Sequence, residues 1–361
     1  MNYNGWDIHY LENKEAYYEV FDKAMVKEVE GSTEDLEKLF CEFTGRKYCV
    51  AVNSATDALR FSLKDIGPGD EVLVTNFSWI SSASAISMVG ATPVFCDIDL
   101  ESYHLSIDSI KRMYGPKVKA LIYTPLYGNM TDTTEIENFC EENGIRFIED
   151  SAQALGVSLH DRRAGSIGHC SSYSFNGNKV IAGISGGGMF MTDDEEHANW
   201  VKRVRRHGKD KDFQELGTNS KMFITNADII QYRMQFWEQW QRRRQELAAI
   251  YDEMLGDDLI VQEVPEGLDH NYHKYVVRFK NKEQRKRVKD KLKEMGFNPS
   301  VHYERPLSAN SLYNDIPTRS DNCGNSKIAS ETVMSLPIHA WLKDEEVENL
   351  CNMILMILSD S

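Results

Sequence analysis

Two residues of this 361-residue chain stand where a solvated surface role explains them poorly. Asp150 closes the apolar run RFIE, so a strand there would deliver a carboxylate to its own end. Lys179 follows 29 residues later, set between SFNGN and the small-residue stretch AGISGGGM. Lysine ordinarily keeps its ammonium in water. Each residue alone has a plain alternative: Asp150 as the cap of the SAQA turn, Lys179 as a loop lysine. Together they suit a lysine that forms a Schiff base, which needs partial desolvation, and a carboxylate fixed opposite a pyridinium nitrogen. That is the chemistry of pyridoxal 5'-phosphate (PLP). Its phosphate needs a cradle, and NSATDAL at 53–59 supplies one, since a strand ends, Ser54-Ala55-Thr56 turns, and a helix opens with N–H groups toward an anion. Ser174 adds a hydroxyl donor five residues before Lys179. Gly186-Gly187-Gly188 lacks the Lys-Ser/Thr ending of a P-loop and is read as backbone brought close to the cofactor.

Residues so placed need a scaffold that brings them to one edge. From residue 47, β-branched runs alternate with helical patterns, the pattern of crossover units and a largely parallel sheet. Strands are expected at 47–52, 71–75, 93–98, 118–124 and 145–150, with shorter ones around HCSSYSF and GGMFMT. Ligands of such sheets bind beyond the carboxyl ends of the strands, where Asp150 falls. Helices are expected at 57–66, 134–144 and 194–207, followed by one long amphipathic helix over 226–256. Beyond it, YHKYVVRF, KEQRKRVKDKLKEMG, PSVHY and ENLCNMILMIL read as a small α+β unit.

The composition is that of a globular protein without a bilayer-spanning run. The first residues have neither a basic start nor an apolar stretch, so no secretory signal is expected and the default location is cytoplasmic. A net charge of -15 argues against nucleic acid and acidic membranes as partners, while leaving room for a local pocket that takes an anionic small molecule. The basic run KRVRRHGKDK at 202–211 is expected as a solvated helix face and its C-terminal end. Seven cysteines with no C-x-x-C pair indicate neither a disulfide framework nor a zinc site, and no metal is expected.

The order of these pieces resembles the DegT-type (DegT/StrS) nucleotide-sugar aminotransferases, of the aspartate-aminotransferase-like fold (PLP-dependent transferase fold type I). The resemblance runs from about Gly31 to the C-terminus. It rests on NSATDAL, on IGPGDEVLVTNFSWISSASAISMVGATPVFCDID at 66–99, on LYGNM, FIEDSAQALG, SFNGNK with SGGGM, RRHG at 205–208 and SLPIH at 335–339. It implies an α/β fold with a mostly parallel seven-stranded sheet: an N-terminal segment at 1–30, a large PLP-binding domain at 31–240 and a small α+β domain at 241–361. It assigns Lys179 as the covalent anchor of PLP, Asp150 as partner of the ring nitrogen, Gln153 beside the phenolic oxygen and Trp79 stacked on the ring. Ala55 (by its backbone), Thr56 and Ser174 match phosphate-binding positions. Asn219 matches an asparagine that reaches the phosphate of a neighbouring subunit, which implies a homodimer with shared active sites. Trp79 could instead be a core tryptophan, and Asn219 the cap of a turn.

The activity implied is transfer of an amino group from glutamate to a nucleotide-linked keto sugar, leaving 2-oxoglutarate, in amino-sugar biosynthesis for a surface polysaccharide or glycoconjugate. The NGNK form of the lysine motif looks most like members acting on a 4-keto-6-deoxy sugar. The alternatives are a 3-keto sugar nucleotide, a small phosphorylated ketone, or a non-catalytic regulator that binds PLP or sugar. Related sugar dehydratases carry histidine in place of the lysine, so Lys179 argues against them. The chain departs from the family in having Ser-Ala-Thr rather than Ser-Gly-Thr in the cradle, Pro125 where many members have histidine, and a bulkier segment after Asn219 without the usual Ala-Ala pair. Phe236, Trp237 and Trp240 are either ordinary core or apolar surface near a dimer contact.

Overall fold

The β-branched runs form strands β1 (Tyr48–Val52), β2 (Glu71–Thr75), β3 (Thr92–Cys96), β4 (Val118–Tyr123) and β5 (Arg146–Asp150), and the segments around HCSSYSF and GGMFMT form β6 (Cys170–Ser174) and β7 (Gly188–Thr192). In this computed structural model, which describes residues 5–26, 29–210, 212–213 and 215–359, they make one sheet in the order β1-β7-β6-β5-β4-β2-β3. Residues 1–4, 27 and 28 of the expected N-terminal segment, Lys211 of the basic run and residues 360–361 lie outside the described residues. Pairing is parallel from β3 through β6, and β7 runs antiparallel to both of its neighbours. All five residues of β2 and of β7 are buried, as strands covered on both faces must be.

An eighth strand, Arg319–Ser320, joins the edge in parallel with β3. It was not foreseeable from periodicity, because two residues carry no alternation and their partner lies far away in the chain. Its hold comes from charge as well as backbone: Arg319 pairs with Glu71 and donates to Met113 O at 2.8 Å, and Ser326 donates to Asp97 Oδ1 at 2.7 Å.

The helix expected over 226–256 is two helices, Ile224–Met234 and Trp237–Leu255. The break lies at Gln235–Phe236, where both N–H groups bond three residues back, to Tyr232 O and Arg233 O. Neither Gly nor Pro marks it. The turn directs the Phe236 ring onto Trp240, with centroids 5.5 Å apart and planes nearly parallel. Trp240 also meets Trp6 and Trp341, so this aromatic run packs within the chain's own core, under the N-terminal helix Trp6–Glu12. Trp240 is buried and belongs to that core, whereas Phe236 and Trp237 are only partly buried against it.

The second helix ends in a separate core, where Leu247, Tyr251 and Leu255 pack on Val277, Val288, Met334 and Val347. That body contains the helices Lys282–Glu294 and Asp344–Ser359 and a three-stranded antiparallel sheet of Ile260–Val261, Tyr275–Arg278 and Val333–Leu336. We propose that the large and small units meet inside helix Trp237–Leu255. PSVHY contributes no strand; Ser300 makes only a single bridge to Ser335. Among the described residues no helix is long and apolar enough to cross a membrane.

Candidate active site

The antiparallel strand β7 explains how distant residues converge. Gly188, its first residue, lies opposite both Val52 at the end of β1 and Ser174 at the end of β6. The turn after β1, the end of β6 and the glycine run therefore meet at one point. Ser54 caps helix Ala55–Ser62, its Oγ accepting from the Asp57 N–H at 3.1 Å, and the helix directs its positive end toward the cavity there. Gly188 must be glycine, because a Cβ would lie 2.4 Å from the Ser54 carbonyl carbon and 2.5 Å from the Ala55 nitrogen.

The cavity, about 410 Å³, is lined by Ala55, Thr56, Trp79, Asp150, Gln153, Ser174 and Lys179 among others. Seven of the eight residues expected from the sequence are thus brought together. The eighth, Asn219, does not line the cavity. Its side chain is exposed, bridged through its backbone to Arg206. Its neighbour Ser220 does reach the cradle: Ser220 O accepts from the Asn53 N–H at 2.9 Å, and its Oγ donates to Asp57 Oδ2 at 2.7 Å. Trp79 is 58% exposed, so it is not a core tryptophan.

Asp150 ends β5 fully within the protein. Its Oδ2 accepts from Ser82 Oγ at 2.6 Å. Burial pushes its carboxyl pKa up, while the Ser82 hydroxyl, the charge of Lys179 and the Ala152 N–H pull the other way. Lys179 is half-buried in the cavity wall, and desolvation there lowers its pKa to about 8 against the opposing pull of Asp150. This is the environment a Schiff-base lysine requires.

The loop that carries Lys179 is shaped by its own backbone and by Asn226. Phe175 N–H donates to Gly187 O at 3.0 Å and Gly183 N–H to Phe175 O at 2.7 Å. Asn226 Oδ1 accepts from Ile184 N–H at 2.7 Å, and its Nδ2 donates to Gly186 O at 2.6 Å. Gln153 is held at both ends of its amide, accepting from Tyr127 N–H at 2.9 Å and donating to Tyr303 Oη at 3.0 Å. The turn at Tyr127 follows directly on Pro125.

Sequence reasoning missed Asn226 and the C-terminal contribution of His273, Lys274, His302 and Tyr303, which line the same cavity. One signal was available: Lys274 interrupts an otherwise apolar and aromatic strand approach, YHKYVV. A larger cleft of about 850 Å³ lies elsewhere, lined by Lys119, Glu137, Arg146 and His169. It sits at the amino ends of β4, β5 and β6, away from the edge where a parallel sheet binds ligands.

The donor set fits PLP. Hydroxyls of Thr56, Ser81 and Ser174 with the helix N-terminus suit a phosphate, a buried carboxylate suits a ring nitrogen, and a desolvated amine suits an aldehyde carbon.

Most of the chain is similar to known proteins. Residues 11–355 match the DegT/DnrJ/EryC1/StrS aminotransferase family. The chain is 31% identical to the UDP-2-acetamido-2-deoxy-3-oxo-D-glucuronate aminotransferase of Pseudomonas aeruginosa, covering 88% of each protein. It is also 31% identical to the UDP-N-acetyl-3-dehydro-alpha-D-glucosamine 3-aminotransferase of Acidithiobacillus ferrooxidans, over 88% of this chain and 86% of that one. A crystal structure of a DegT/DnrJ/EryC1/StrS aminotransferase from Brucella abortus superimposes with a TM-score of 0.92 over 99% of both chains at 25% identity. With its fold-type-I architecture and a cavity built for PLP, the chain belongs to the DegT/DnrJ/EryC1/StrS family of PLP-dependent sugar aminotransferases.

Proposed function

We propose that the enzyme transfers an amino group from glutamate to the keto group of a nucleotide-linked sugar. The observation that carries this reading is the convergence of Lys179 and buried Asp150 with the hydroxyl-lined helix N-terminus in one cavity. When bound, PLP supplies an electron sink that makes the C–H beside the transferred nitrogen acidic. The chain's residues supply the rest. Ala55, Thr56 and Ser174 hold the phosphate, and Trp79 covers the ring face. Asp150 keeps the ring nitrogen positively charged, and Gln153 fixes the opposite edge. Lys179 anchors the cofactor and, once released, carries the proton to and from the reacting carbon.

Two features divide on the sugar position. The NGNK motif resembles members acting on 4-keto-6-deoxy sugars, whereas the two relatives named above carry a 3-oxo and a 3-dehydro sugar in their names. A panel of 3-keto and 4-keto sugar nucleotides with glutamate, read by mass spectrometry and by NMR for the aminated carbon, separates them. Failure of every keto sugar to give an amino product while PLP is bound would overturn the reading.

Asn219 stands exposed beside the cradle, Phe223 is an exposed apolar residue four positions on, and Trp79 and Ile184 are exposed apolar residues on the cavity wall and the Lys179 loop. These support a homodimer in which Asn219 serves a neighbour's phosphate.

A further inference from the structure

The cavity holds one more cation than the proposed chemistry uses. Lys274 lines it together with Lys179, His273 and His302. Its position is built in. Its N–H donates to Tyr127 O at 3.2 Å, the His273 N–H donates to Asn271 Oδ1 at 2.8 Å, and Asn271 Nδ2 donates to Gln153 O at 3.1 Å and Leu155 O at 2.8 Å. Lys274 is therefore fixed to the same loops that hold Gln153. Asp150 is the one carboxylate among the described residues lining the cavity, and the proposed reading commits it to the cofactor ring. Burial, with the charges of Lys179 and Arg244, lowers the Lys274 pKa to about 8. A half-buried ammonium facing other basic groups is unfavourable until an anion meets it.

We propose that Lys274 binds a carboxylate of the reactant and so selects for carboxylate-bearing substrates. This rests on the aminotransferase reading of the same cavity. A carboxylate is favoured over the nucleotide diphosphate by position. The diphosphate is separated from the reacting carbon by the sugar ring, whereas an amino acid places its carboxylate one bond from that carbon, and Lys274 shares the cavity with Lys179. Two reactants bring this chemistry: the amino donor through its α-carboxylate, and a uronate sugar through its ring carboxylate.

The test compares the holoenzyme with Lys274→Met and Lys274→Arg. The visible spectrum is recorded first; a wild-type protein that binds no PLP overturns the functional reading and leaves the carboxylate arms to be judged by binding alone. Calorimetry then measures glutarate, and the pair UDP-glucuronate and UDP-glucose, which differ by a carboxylate. Lys274→Met is expected to weaken at least one carboxylate probe by 10-fold or more, the scale of one charge-assisted hydrogen bond, with UDP-glucose unchanged and Lys274→Arg restoring most of the loss. Loss for glutarate assigns the donor carboxylate; loss for UDP-glucuronate alone assigns the sugar. A smaller change for both, an equal loss for UDP-glucose, or no binding of either carboxylate probe to the wild type overturns the proposal.

Discussion

Lys179 is a nucleophile only as the free amine, and burial puts its pKa at about 8, well below the ordinary 10.5. Below about pH 8 the folded apoprotein holds mostly the ammonium, so the rate at which Lys179 captures added PLP should climb about tenfold per pH unit and level off above that value. Stopped-flow absorbance across pH 6 to 10 measures this; a rate flat across that range would mean the amine is not the limiting group. Lys179→Ala should leave the fold intact and lose both the covalent absorbance band and turnover, by at least about 100-fold on the scale of positioned proton transfer. At this scale the sequence was informative where a residue's type conflicted with its local pattern. Asp150 at a strand end and Lys179 among glycines were legible for that reason. His302 and Tyr303 were not, because they reach the cavity only through the packing of the C-terminal body on the sheet edge, which no local spacing encodes.

Among the elements, strands β1 to β5 were legible because each carries β-branched and aromatic residues punctuated by turns, whereas β6 and β7, CSSYS and GMFMT, hold little of that composition and were readable only as short strands. The split between helices Ile224–Met234 and Trp237–Leu255 was hidden, since their apolar spacing continues across a turn made without Gly or Pro. The junction of β7 with the cradle gives a test. A methyl group at residue 188 would meet the backbone of Ser54 and Ala55, which cannot swing aside as a side chain could. Gly188→Ala should destabilise the protein by about 1–3 kcal/mol through overpacking and weaken PLP retention at the same time. Thermal melts and equilibrium dialysis check both; loss of stability with unchanged cofactor affinity would separate the glycine from the cradle's geometry.

For the molecule as a whole, a site completed across a two-fold axis would couple assembly to cofactor, because PLP binding only the dimer favours it by mass action. Asn219→Ala is expected to preserve the fold, weaken PLP retention several-fold and reduce the shift toward dimer on adding PLP. Sedimentation with and without PLP reads this out, and a fully active monomer that keeps its cofactor would exclude sharing. The short strand Arg319–Ser320 bears on a different matter, the order in which the chain is made. The other seven strands are complete once Thr192 has emerged, yet β3 keeps an open, apolar hydrogen-bonding edge until residues 319–320 arrive to cover it. At translation rates of about 5–20 residues per second, roughly 130 further residues leave that edge bare for about 6–25 seconds on every ribosome. A nascent chain stalled in that interval should therefore be the form most prone to edge-to-edge association and the one that chaperones capture.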